Sequence, residues 1–153
     1  DRILFHHKLR ISIAACPNGC SRPQIADVGI VGTVRPDVDP EQCTACGLCA
    51  GACPDDAIAM DDAPVFNRSA CQGCRSCAEA CPHNCITLSE PQAVVLIGGK
   101  LGRHPHLARP VATVATPTDL VPVLDDAVND FLTHAEPGER FANYRARKEN
   151  THE

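Results

Sequence analysis

Apolar and polar positions alternate along "HKLRISIA", where Leu9, Ile11 and Ile13 are separated by polar residues. A period of two predicts a half-buried strand, and the residues before it read as the start of a strand. "RPQIADVG" predicts a short helix opened by Ser21, with Pro23 in its first turn, leading into "VGIVG" as a second strand. The continuous run "AVVLIGG" predicts a fully buried strand. In "TPTDLVPVLDDAVNDFLTHAEPG" the period changes to that of a helix, with Leu120, Leu124, Val128 and Phe131 as an apolar stripe. Thr116 is its expected N-cap, Pro117 its first residue and Asp119 the return partner of a capping box; Pro137 and Gly138 end it.

Between these segments the pattern is set by cysteine. Shifting the chain by 28 residues lays "CTACGLCAGACPDDAI" on "CQGCRSCAEACPHNCI". Cys43, Cys46, Cys49 and Cys53 then coincide with Cys71, Cys74, Cys77 and Cys81, and each fourth cysteine precedes proline. Such a repeat means two copies of one small unit: a tight loop through three cysteines, a short helix ending at Cys-Pro, and a short strand, "AIAM" or "CITL". In C-x2-C-x2-C-x3-C-P runs, three thiolates of one loop converge on one cluster and the fourth ligates the other. This predicts Cys43, Cys46, Cys49 and Cys81 for one 4Fe-4S cluster, and Cys71, Cys74, Cys77 and Cys53 for a second. The alternative is a pair of four-cysteine zinc sites, but zinc usually takes separated C-x2-C knuckles. Cys85 falls on Ala57 and is expected to be a buried structural thiol rather than a ninth ligand.

With 153 residues, 3% aromatics and no tryptophan, the chain has a modest apolar core available. Eleven cysteines point to bound inorganic material for the rest of its order. The odd count, the C-x-x-C spacing and a start that resembles neither signal nor transit peptide predict reduced thiolates and a cytoplasmic location. No apolar run is long enough to span a bilayer. The net charge of −5 is segregated: seven acidic residues and no Lys or Arg lie between Asp37 and Asp62. Basic residues gather in 2–22 and 98–110 with Phe5 the one aromatic among them, so a nucleic-acid partner is not expected.

Cys16 and Cys20 lie outside the repeat. Two thiolates cannot complete a four-ligand site, so they are either inert or half of something. "CPNGCSRPQIADVGIVG", "VVLIGGKLGRHPHLA", the long helix and "GERFANYR", in that order around the ferredoxin runs, resemble the C-terminal part of the sirohaem-containing sulfite and nitrite reductase family. The likeness is to members with an inserted two-cluster ferredoxin module, such as the anaerobic sulfite reductase type. It implies an α+β fold: a sirohaem-reductase half-domain over residues 1–32 and 91–153, interrupted by a bacterial ferredoxin-like insert over 33–90.

The resemblance further implies a third 4Fe-4S cluster coupled to sirohaem, with Cys16 as a cluster ligand and Cys20 bridging cluster and haem iron. The family's other two ligands come from an upstream Cys-x5-Cys pair that is not in this sequence. A missing N-terminal half or a partner chain is therefore expected to complete the centre, and the chain alone is expected to be inactive, with no catalytic residue of its own. Sirohaem carries eight carboxylates, for which Arg22, Lys100 and Arg103 are the candidate partners. His104 and His106 read as loop histidines. The implied activity is six-electron reduction of sulfite, or of nitrite, with electrons delivered by a donor protein to the acidic insert. The rival expectation is a non-catalytic iron-sulfur carrier whose reductase-like half is a docking scaffold.

Overall fold

The run "VGIVGT" is apolar on both faces, and it becomes an interior strand: β2, Val28–Thr33, is buried over its first four residues. The computed structural model describes residues 8–150. Beside β2 lies β1, Ile11–Ala14, paired in parallel from Ile11 opposite Val28 to Ala14 opposite Val31. On its other side lies β7, Gln92–Ile97, which pairs antiparallel with β8, Arg109–Val114, so the sheet order is β1-β2-β7-β8. The N–H of Gly98 donates to the carbonyl of Asp27 at 2.8 Å, which sets the end of β7 beside the beginning of β2.

Helix α3, Pro117–His134, and helix α4, Phe141–Asn150, complete this unit. Thr116 and Asp119 form the expected reciprocal capping box, worth about 1 kcal/mol. Val95, Ile97, Val114, Ala127 and Phe141 form the buried core, against which Leu120, Leu124 and Phe131 pack. The unit falls within residues 1–32 and 92–153, and a second unit occupies 33–91. The architecture is α+β.

In the second unit, β3 (Pro36–Val38) pairs antiparallel with β6 (Ile86–Leu88), and β4 (Ile58–Met60) with β5 (Pro64–Phe66). Two four-residue helices, α1 (Leu48–Gly51) and α2 (Ser76–Glu79), occupy equivalent places in the two copies of the repeat. The copies share a backbone. Ala45 and Gly73, Gly47 and Arg75, and Asp56 and Asn84, matched at the 28-residue shift, are all left-handed. Three of the four buried residues in this unit's core cluster are cysteines, Cys49, Cys77 and Cys85, with Ile86 the fourth.

Three expectations are corrected. Leu9, Ile11 and Ile13 are 39%, 51% and 66% exposed, so the alternation marks a strand whose apolar side is open. The covered side carries half-buried Ser12 and buried Ala14, and the Ser12 hydroxyl donates to the Ser21 carbonyl at 2.7 Å. Residues 23–25 form one 3-10 turn, and Arg22, left-handed, stands at its N-cap without a side-chain cap. Ser21 does not cap it; its hydroxyl instead donates to the Ile13 carbonyl at 2.7 Å. The strand expected before residue 8 lies outside the described residues.

Candidate metal centre

Within the second unit two hollows are lined by cysteine. Cys43, Cys46 and Cys49 of the first copy line one together with Cys81 of the second, beside His83, Cys85 and Ile86. Cys71, Cys74 and Cys77 of the second copy line the other with Cys53 of the first, beside Asp55, Gln72 and Arg75. Each hollow thus collects three thiols from one loop and a fourth from the other repeat, with Cys85 adding a fifth to the first hollow. Among the described residues, no three His, Cys, Asp or Glu converge on a point as a single-ion site requires.

The left-handed residues explain how such short loops aim their groups. They reverse the chain so that backbone N–H groups turn toward sulfur: Ala45 N–H donates to Cys43 Sγ at 3.5 Å, and Ala57 N–H, just after left-handed Asp56, donates to Cys53 Sγ at 3.3 Å. Amide donors stabilise negative charge on a thiolate. Burial pushes the Cys49 and Cys77 thiols up from their ordinary value, the cost of keeping an uncompensated thiolate in an apolar place. Burial also acts on Cys81, but there it is outweighed by hydrogen bonds from the Cys85 thiol and from the backbone of Cys85, His83 and Ile86, leaving Cys81 below the ordinary range. Cys85 is pushed up to about 12, first by its bond to Cys81 and then by burial.

Cys16 and Cys20 lie on the connection between β1 and β2. Parallel neighbours require a crossover, and here it is the cysteine loop followed by the 3-10 turn. Gly19 N–H donates to the Cys16 carbonyl at 3.2 Å and Arg22 N–H to the Gly19 carbonyl at 2.7 Å, two consecutive reversals that leave both cysteines exposed. The Asn18 side-chain amide donates to Cys20 Sγ at 3.0 Å. Strand β2 carries glycine where this crossover passes: a Cβ on Gly29 would lie 2.4 Å from the Pro23 carbonyl oxygen, and one on Gly32 would lie 2.3 Å from that of Ala15.

The candidate basic residues separate into two places. Arg22 directly follows the cysteine loop. Lys100 and Arg103 line an open cleft of about 1290 Å3 in the first unit, together with Lys8, Arg10 and Arg140 and with acidic Asp27, Glu136 and Glu139. Lys100 Nζ donates to the Asn143 side-chain oxygen. The glycine ahead of Lys100 is required by the protein's own backbone. A Cβ on Gly99 would fall 2.6 Å from the carbonyl oxygens of Gln24 and Ala26. His104 is exposed, while His106 Nδ1 lies 2.9 Å from the Gly98 carbonyl oxygen and Nε2 lies 3.6 Å from Glu149. Sequence reasoning misses Asn18 and the amide donors; the Asn of the Cys-Pro-Asn-x-Cys motif is the available signal for the first.

Residues 4–151 match the family described as the nitrite and sulphite reductase 4Fe-4S domain. Over 98 residues, 63% of this chain and 16% of the relative, the sequence is 51% identical to the coenzyme F420-dependent sulfite reductase of Methanocaldococcus jannaschii. Over 52 residues, 34% of this chain and 15% of the relative, it is 35% identical to a subunit of the anaerobic sulfite reductase of Salmonella typhimurium. In both cases the matched segment is about a sixth of the relative's length. A crystal structure of dissimilatory sulfite reductase I shares the fold, with a TM-score of 0.61 at 17% identity over 90% of this chain and 39% of that one. Among the described residues no helix is long and apolar enough to cross a membrane.

Proposed function

Because the chain belongs to the nitrite and sulphite reductase 4Fe-4S domain family, an oxidoreductase family with an iron-sulfur centre, we propose that it is the electron-transferring part of a sirohaem-dependent sulfite reductase. The observation that carries the reading is the crossing of the cysteine repeats, in which each hollow takes its fourth thiol from the other copy. Cys43, Cys46, Cys49 and Cys81 would hold one 4Fe-4S cluster, and Cys71, Cys74, Cys77 and Cys53 the other, in a ferredoxin-like unit spanning 33–90. A 4Fe-4S cluster, when bound, accepts and releases single electrons. The protein's own part is to orient the sulfurs and to place the Ala45 and Ala57 amides against them, which stabilises arriving negative charge. The acidic stretch from Asp37 to Asp62 favours docking of a basic donor surface.

Cys16 and Cys20 would supply two thiolates to a third, sirohaem-coupled cluster, with Cys20 as the bridge and a Cys-x5-Cys pair outside this sequence as the remainder. Their exposure suits thiols that another segment completes. Arg22, Lys100 and Arg103 would meet sirohaem carboxylates, Arg22 from the cysteine loop and the other two from the cleft. Sulfite is favoured over nitrite because the relatives matched at 51% and 35% identity are named as sulfite reductases. The second reading, an iron-sulfur carrier with a docking scaffold, is favoured by one fact: this chain offers only two cysteines outside the repeat and Cys85. Intact mass, iron and sulfide content and an anaerobic absorption spectrum of one sample separate the two. Sirohaem bands with a larger chain or a Cys-x5-Cys partner support the reductase; broad iron-sulfur absorption from a complete natural chain of this size supports the carrier.

A further inference from the structure

The two copies of the repeat differ at a buried position that faces a cysteine sulfur. Cys85 superimposes on Ala57, and the two residues are 4% and 1% exposed. In the first copy Ala57 offers Cys53 its backbone alone, the N–H donating at 3.3 Å. In the second copy the Cys85 Sγ lies 3.4 Å from the Cys81 Sγ, and neither forms a disulfide. A contact of this kind places one proton between two sulfurs. Cys85 is packed with Cys49, Cys77 and Ile86 in the unit's core, where an anion of its own would be costly. Of the two, Cys81 belongs to the ligand set and Cys85 does not, so Cys85 is the sulfur with a proton to donate.

We propose that Cys85 is a non-ligating thiol whose S–H donates to Cys81, and that this bond sets the cluster on Cys43, Cys46, Cys49 and Cys81 at a higher reduction potential than the cluster on Cys71, Cys74, Cys77 and Cys53. The inference rests on the ligand assignment under Proposed function. Reduction adds negative charge that is shared with the ligating sulfurs, so a donor hydrogen bond to one of them stabilises the reduced form more than the oxidised form. Amide donors reach a sulfur of each set, Ala45 at Cys43 and Ala57 at Cys53. The backbone of Cys85, His83 and Ile86 also bonds to Cys81, but these groups are the same in the unsubstituted chain and in a Cys85 side-chain variant, so such a variant isolates the thiol; Asp55 and Arg75, which line the second hollow, carry opposite charges. Electrons entering the unit would then settle on the Cys81 side, which gives transfer between two otherwise similar clusters a direction.

The test is a redox titration of the full chain, loaded with iron and sulfide under anaerobic conditions and followed by electron paramagnetic resonance. The unsubstituted chain should show two one-electron waves. In Cys85→Ala, which places the first copy's native residue in the second, iron content should be unchanged. The higher wave should fall, leaving that cluster on the order of tenfold less reduced at a fixed potential, about 59 mV for a one-electron couple. Cys85→Ser, which keeps a donor, should retain part of the separation, and Ala57→Cys should raise the lower wave. Unchanged waves in Cys85→Ala at full iron content overturn the inference while leaving the ligand assignment standing. Loss of one cluster's iron in Cys85→Ala also overturns it, by making Cys85 a ligand. An unsubstituted chain without two clusters refutes the ligand assignment itself, and the inference with it.

Discussion

Ala45 and Gly73 hold the same left-handed position in the two repeats, at φ +53° and +74°, yet only at Gly73 is there no room for a side chain. A Cβ there would lie 2.1 Å from Thr33 Oγ1 and 2.3 Å from the Val34 carbonyl oxygen. The chain at 33–34 is tied to this loop, Val34 N–H donating to the Gly73 carbonyl at 3.3 Å and Thr33 Oγ1 to that of Gln72 at 3.0 Å. Gly73→Ala should therefore cost about 3 kcal/mol through the clash and the left-handed backbone together. Ala45→Gly should change stability by less than about 1 kcal/mol, since relief of strain is offset by chain entropy. Denaturant unfolding followed by cluster absorbance checks both; equal effects would show the copies to be interchangeable.

Removal of iron should unfold the second unit and spare the first. A unit of this size buries little apolar surface, and its buried core cluster is cysteine apart from Ile86. Without metal those thiols are a poor core; with it, ligation becomes folding free energy. Chelation followed by amide hydrogen exchange should expose 33–91 while β7, β8 and α3 stay protected. Protection retained at Cys49, Cys77 and Ile86 would contradict this.

Cys53→Ser should damage the cluster of the other repeat. Loop 71–77 would lose its fourth ligand, and about four irons per chain would be lost or one signal altered, while the set completed by Cys81 stays. Mössbauer or electron paramagnetic resonance spectra distinguish this from loss at the residue's own loop, the outcome that an uncrossed arrangement requires.

Acid should loosen the contact between α3 and α4. Lys148 Nζ donates to both Asp130 carboxylate oxygens at 2.7 Å, and Arg147 donates to both Glu139 oxygens at 3.0 and 2.8 Å. These bonds hold both carboxyls below the ordinary range against the opposing effect of burial. A depressed folded value means the stabilisation is present above the ordinary carboxylate values, about 4, and is lost as pH falls through the folded ones. Asp130→Asn should weaken that acid dependence and cost about 1–3 kcal/mol at neutral pH, because Lys148 and Arg145 lose their carboxylate. Stability against pH for the two proteins is the measurement.

Gly32→Ala should disturb the Cys16–Cys20 loop from beneath. Its Cβ would meet a backbone carbonyl at 2.3 Å, which no side-chain rotation relieves. The expected cost is about 2–4 kcal/mol, with changed alkylation rates at Cys16 and Cys20 and unchanged rates at Cys43 and Cys71. Mass spectrometry after timed alkylation reads all four.

The sequence by itself determined the repeat, its two short helices and strands, the capped helix α3 and the family resemblance, because each rests on local spacing or a local hydrogen bond. It could mark β1 as a strand but not which side is covered: Ser12, bonded to the Ser21 carbonyl, and Ala14 are on the covered side, while Ile11 and Ile13 are exposed. Strand β8 and helix α4 are not legible in it: four of the six residues of Arg109–Val114 are exposed and only Val114 is buried, and four of the ten residues of Phe141–Asn150 are charged, with no apolar stripe. Only tertiary structure decided that Cys85 touches Cys81, that Gly99 serves the backbone of Gln24 and Ala26, and that Arg22 stands apart from the cleft of Lys100 and Arg103. Spacing along a chain dictates what neighbours in sequence can share; what distant residues share depends on how strands and loops are brought side by side.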